Sequence, residues 1–89
     1  MPDQPVNPAP VHAVLDICRQ TLGQPGFGPE DDFFAAGGNS LQSMLVIKEI
    51  RAAYGVRVPP RGFYERPTAA ALAALVTDQL AAGAPGANQ

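Results

Sequence analysis

Tryptophan is absent from the 89 residues, and cysteine and histidine occur once each, as Cys18 and His12. A lone thiol excludes an internal disulfide framework, and one thiol with one imidazole falls short of the ligand set of a structural zinc site. Charge of one sign is also scarce. A net charge of -2 leaves no polycationic footprint for nucleic acid. No apolar run is long enough to span a bilayer and no signal-peptide pattern opens the chain, so neither a membrane nor a nucleic acid is an expected partner. A cytoplasmic location and a monomeric state are the default expectations. The length admits one domain with one thin core and little room to enclose a cleft.

What is present is alanine, valine and leucine, which dominate an apolar fraction of 46%. Alanine favours helix but buries little area, so a few larger side chains must carry the core. Residues 1–9 hold Pro2, Pro5 and Pro8 among polar neighbours and read as a loose lead-in. A first helix is expected from about 10 to 22, where Val11, Val14, Leu15, Cys18 and Leu22 recur on one face and Gly23 is the stop. Cys18 falls on that stripe and reads as a small buried hydrophobe. His12 has no ligand-spaced acid or cysteine near it and reads as a solvated helix residue.

From Gly23 to Asn39 no periodicity appears, and the segment is longer than an ordinary connector. Phe27, Phe33 and Phe34 are the groups expected to pin it to the helices. The acidic knot Glu30, Asp31 and Asp32 can cap a short turn or face a basic partner, and the sequence leaves both open. A second helix is expected from Ser40 to about Tyr54, ended by Gly55. Ser43, Val46, Ile47, Ile50 and Tyr54 form one apolar side, while Leu41, Met44, Leu45 and Lys48 project from roughly the other. Either the long loop covers this second side, with Phe27 or Phe33, or it is a docking surface with Met44 as an adaptable contact. Val56 to Pro60 should be extended, and residues 61–66 can form a short helical stretch. Thr68 is the N-cap candidate of a last helix over 69–81, packed through Leu72, Leu75, Val76 and Leu80. Residues 82–89 read as a loose tail, leaving 10–81 as the folded domain.

The stretch around which this order arranges itself is Asp31-Asp32-Phe33-Phe34-Ala35-Ala36-Gly37-Gly38-Asn39-Ser40-Leu41. It delivers the Ser40 hydroxyl to a helix N-terminus, where unpaired backbone N–H groups and the positive end of the helix dipole favour an anion. Such a serine suits a phosphate ester and reads as modified rather than catalytic.

Asp31-Asp32-Phe33-Phe34 followed by Gly37-Gly38-Asn39-Ser40-Leu41 resembles the attachment motif of peptidyl carrier proteins, the thiolation domains of nonribosomal peptide synthetases. Leu22-Gly23 resembles the end of that family's first helix, and Tyr64-Glu65-Arg66-Pro67-Thr68 with Ala71-Leu72-Ala73 is similar to the approach to its last. The likeness covers roughly 10–81. It implies an all-α, right-handed bundle of four helices with a long first loop and a short third helix. It also implies that Ser40 receives 4'-phosphopantetheine from coenzyme A through a phosphopantetheinyl transferase. The arm's thiol would then hold an aminoacyl or peptidyl group as a thioester, loaded by an adenylation enzyme and drawn on by condensation, tailoring or thioesterase enzymes. Leu41, Met44, Leu45, Lys48 and Phe63 are the implied partner-binding residues. Gly37 and Gly38 would let another enzyme's backbone approach closely. Three positions depart from the usual pattern: Asn39 stands where histidine or aspartate is commoner, Ala36 where leucine is usual, and Tyr64 where phenylalanine is usual.

Three other functions compete. A serine hydrolase needs a base and an orienting acid beside the nucleophile, and the chain offers only His12, early in another helix. An acyl carrier of a polyketide or hybrid pathway shares the attachment chemistry, although Asp-Ser-Leu, usual there, is replaced by Asn-Ser-Leu. A non-catalytic helical interaction domain would reduce Ser40 to an ordinary N-cap.

Overall fold

The computed structural model describes residues 10–83; the expected lead-in and all but the first two residues of the expected tail lie outside them. Four helices follow in order: α1 (Pro10–Leu22), α2 (Ser40–Tyr54), α3 (Pro60–Glu65) and α4 (Ala69–Gly83). Pro10 opens α1 where its missing N–H costs nothing. Gly55 closes α2, its N–H donating to the Arg51 carbonyl at 2.8 Å. The Thr68 hydroxyl accepts the Ala71 N–H at 3.1 Å, so the expected cap of α4 is in place. That helix runs two residues past its expected end at 81.

Helix α1 packs against α2 and α4, and α3 closes on α2. Val14 and Cys18 from α1, Val46 and Ile50 from α2, Phe63 from α3 and Leu72 and Val76 from α4 meet in one core. Ala69 and Ala73 complete the α4 face at helical spacing, whereas Leu80, expected there, is exposed. Alanine on that face lets α4 approach its neighbours closely. Between α2 and α3 the chain is extended, and alternation sends Val56 and Val58 into the core while Arg57 stays out.

The loop of residues 23–39 is fixed at both ends of its course. Arg19 Nε donates to the Phe27 carbonyl at 2.7 Å and Gln24 Nε2 donates to the Ala36 carbonyl at 2.6 Å. The Phe33 N–H reaches the Pro67 carbonyl at 2.8 Å, and the Ala70 N–H reaches the Pro29 carbonyl at 2.9 Å. Phe27 and Phe33 are buried, and Phe33 meets Phe63 edge-to-face at a centroid distance of 5.1 Å. Two of the three acids of the knot serve turns here. Asp31 Oδ2 accepts the Gly28 N–H at 2.8 Å, and Asp32 Oδ1 accepts those of Phe34 and Ala35 at 2.8 and 2.9 Å. Phe27 and Phe33 go to the core, and the second apolar side of α2 stays open, with Leu41, Met44 and Leu45 71%, 49% and 46% exposed.

Burial raises the Cys18 thiol from its ordinary 9.0 to about 12. The folded protein therefore keeps a proton that the unfolded chain releases from about pH 9 upward. The stability contributed by the neutral thiol is complete below that pH and declines as pH rises toward 12. Urea midpoints followed from about pH 7 to about pH 10 should fall more steeply for the native protein than for Cys18→Ala. Parallel slopes would rule out the coupling.

Candidate functional site

Helix α2 begins with a capping box. Asn39 Oδ1 accepts the Gln42 N–H at 2.9 Å, and Gln42 Oε1 accepts the Asn39 N–H at 3.1 Å. Asn39 is thus the cap and Ser40 the first helical residue. The side chain of Ser40 is released from capping duty and stands exposed. Gln42 Nε2 also reaches the Thr21 carbonyl at 3.3 Å, tying this turn to α1. With the Gln42 N–H taken by the cap and that of Ser43 by the Asn39 carbonyl, the N–H groups of Ser40 and Leu41 have no intrahelical partner.

The entry to the helix depends on the two glycines in different ways. Gly37 holds φ at +110°, a backbone conformation that L side chains rarely adopt. Gly38 lies flat on the Phe33 ring, its N–H bonded to the Phe33 carbonyl at 2.9 Å. A Cβ there would enter the van der Waals envelope of that ring and lie 2.7 Å from the Phe33 carbonyl oxygen. The packing beneath Gly38 therefore requires glycine at this position.

The Ser40 Oγ lies 2.6 Å from the phenol oxygen of Tyr64, 24 residues further along the chain. Tyr64 is 55% exposed, and its ring stacks on Phe34 with centroids 5.0 Å apart and planes within 9°. Phe34 in turn touches Phe33 and Phe63 at 5.5 and 5.7 Å, so an aromatic ladder runs from the core to the serine. The phenol is the contact that sequence reasoning missed, and its signal was the tyrosine standing where phenylalanine is usual. Neither a histidine nor a carboxylate bonds to the Ser40 hydroxyl among the described residues, and His12 is exposed in the first turn of α1. A groove of about 220 Å³ between α3 and α4, lined by Gly62, Glu65, Arg66, Leu72, Leu75 and Asp78, does not include Ser40. The arrangement offers a hydroxyl outward and has no nucleophile–base pair.

The family described as phosphopantetheine attachment site matches residues 12–76. The chain belongs to that family. It is a carrier domain of the peptidyl type, a covalent shuttle and not a catalyst, with 4'-phosphopantetheine as its bound group. The carrier domain is similar to part of tyrocidine synthase 3 of Brevibacillus parabrevis, 40% identical over 65 residues, which cover 73% of this chain and 1% of that one. It is also 38% identical over 72 residues to phosphinothricin tripeptide synthetase PhsC of Streptomyces viridochromogenes, covering 81% of this chain and 7% of that one. The chain thus spans a small fraction of these relatives. A solved structure of the phosphopantetheine transferase Sfp with coenzyme A and a peptidyl carrier protein matches at a TM-score of 0.76. There the identity is 32%, with 83% of this chain and 95% of the matched chain covered.

The carrier domain's own residues fit the bound group. The serine is exposed, two backbone N–H groups beside it are uncommitted within the helix, and the first turn of α2 contains no acid. Of the expected partner-binding residues, Leu41, Met44, Leu45 and Lys48 are exposed together on α2. Phe63 is not with them. It is 1% exposed and wedged against Phe33 in the core, so it cannot serve as the expected partner contact; Tyr64 is the exposed aromatic of α3. No helix of the described residues is long and apolar enough to cross a membrane.

Gly38→Ala should destabilise the domain by about 1–3 kcal/mol, because Phe33 is fully buried and has no space to retreat into. Chemical denaturation of the two proteins checks this, and an unchanged midpoint would contradict the packing role.

Proposed function

We propose that Ser40 takes the 4'-phosphopantetheine arm from coenzyme A, that the arm carries aminoacyl or peptidyl groups, and that partner enzymes grip the exposed side of α2. One observation carries this reading. The Ser40 hydroxyl is exposed at the first residue of a long helix whose capping is done by its neighbour Asn39. An ordinary N-cap serine would spend its oxygen on the backbone, and this one does not.

On attachment the Ser40 oxygen would bond to the pantetheine-side phosphorus of coenzyme A as that phosphorus breaks its pyrophosphate bond. The adenosine bisphosphate half would leave with the bridging oxygen, the hydroxyl proton passing to the transferase. The uncommitted N–H groups of Ser40 and Leu41 and the helix dipole then face a phosphodiester, a placement worth about 0.3–1 kcal/mol. When bound, the arm supplies the thiol on which acyl groups ride as thioesters. The protein's part is to hold the root of the arm on a rigid helix and raise the effective concentration of cargo at successive active sites. The similarity to a peptidyl carrier solved with a transferase and coenzyme A supports a phosphopantetheinyl transferase as one partner. The matches to peptide synthetases support an adenylation enzyme for loading and condensation, tailoring or thioesterase enzymes downstream.

Leu41, Met44 and Leu45 give those enzymes an apolar contact, and Lys48 gives a charge at its edge. Their exposure is expensive for an isolated fold and is consistent with intermittent cover by partners. The opposite side of the same helix, Ser43, Val46 and Ile50, is buried, so the two duties do not compete for residues.

Incubation with a promiscuous transferase and coenzyme A should add one phosphopantetheinyl mass to the native protein and none to Ser40→Ala, with helical content equal in both. Equal labelling of the variant would refute Ser40 as the anchor. Changing Leu41 and Met44 together to alanine should raise the KM for loading by an adenylation enzyme roughly tenfold, about 1.4 kcal/mol, with little change in kcat. An unaltered KM would remove these two residues from the docking surface.

A further inference from the structure

We propose that the Tyr64 hydroxyl is a binding group for the phosphodiester of the loaded protein, holding the root of the arm against α3. The inference rests on Ser40 being the attachment residue. It starts from the 2.6 Å contact between the Ser40 Oγ and the phenol oxygen. Between two hydroxyls either can donate. Esterification removes the serine proton, so Ser40 can then only accept, and the phenol O–H becomes the donor of the pair. Phosphorus is one bond from the atom the phenol already touches, which brings the anionic oxygens within reach by a small turn of the serine side chain.

Such a bond is favoured over the one it replaces. A hydroxyl donating to an anionic oxygen makes a shorter and stronger bond than one donating to a neutral hydroxyl. The phenol is also held ready for it. Its ring is stacked on Phe34, which rests on the buried Phe33 and Phe63, so the hydroxyl loses little freedom when the anion arrives. The serine also stands at the start of α2, where the N–H groups of Ser40 and Leu41 have no intrahelical partner. The anion thereby has backbone donors of α2 and one side-chain donor of α3 in its neighbourhood. A bond to the phenol restrains the root of the arm while its distal end stays free.

The test uses Tyr64→Phe, which keeps the stacked ring and deletes only the donor. Native protein and variant are both loaded with a promiscuous transferase and coenzyme A, and loading is verified by intact mass. Phosphorus NMR then reads the phosphodiester directly. The expected result is a single resonance in each folded protein, displaced between the two by more than a line width, with the displacement abolished in concentrated urea. Equal helical content and denaturation midpoints in the two apo proteins would attribute the displacement to the lost hydroxyl. Coincident resonances in two folded, fully loaded proteins would overturn the contact while leaving Ser40 as the anchor. Failure of the native protein to load would instead strike the Ser40 assignment, and this inference with it.

Discussion

The ring of Phe33 lies on the bare backbone of Gly38, and the site is built outward from that contact. The phenylalanine comes from a loop, yet it is completely buried and bonded through its own backbone to both Gly38 and Pro67. One residue therefore couples the entry of α2, the start of α4 and the aromatic packing of α3. A loop of this length ordinarily costs chain entropy to order, and here that cost is offset by burial of two phenylalanines and by backbone bonds at several points. The rigidity of the entry to α2 follows from the core, and the position of Ser40 follows from that entry.

Division of labour at the helix start completes the arrangement. Asn39 and Gln42 satisfy one another's backbone groups, so the serine side chain between them is relieved of capping. The same economy governs the rest of α2, whose buried side faces α1 and α3 while the other side carries Leu41, Met44 and Leu45. A carrier domain needs its attachment chemistry on its outside and stability on its inside, and this helix keeps them on separate residues.

Much of this was legible in the residue order. The bounds of α1 and α2, the cap at Thr68 and the two-sided character of α2 follow from periodicity and punctuation, which are local signals. The glycine pair and the helix start behind it singled out Ser40, and the family likeness implied the role proposed for it. What escaped was decided by distant contacts. In a helix as short as α3, spacing alone does not say which of two adjacent aromatics turns inward; Phe33 and Phe34 make that choice, taking Phe63 into the core and leaving Tyr64 outside. The packing role of Gly38 escaped because the sequence does not reveal the ring beneath it. The inward turn of Val56 and Val58 went unread because an extended connector shows too few residues for its alternation to stand out.

The amide at Asn39 has an electrical consequence. An aspartate could make the same cap, but it would set a permanent negative charge beside any anion carried by the next residue. With a neutral cap and no acid in the first turn of α2, an anion on Ser40 meets no adjacent like charge on this helix. Its placement then depends on short-range donors more than on a balance of ionic forces. Donor contacts of that kind are little affected by the mobile ions that screen exposed charges beyond about 8–10 Å at ordinary ionic strength. The attraction of the helix N-terminus for that anion is the part that salt weakens, and no like charge in this first turn adds to the loss.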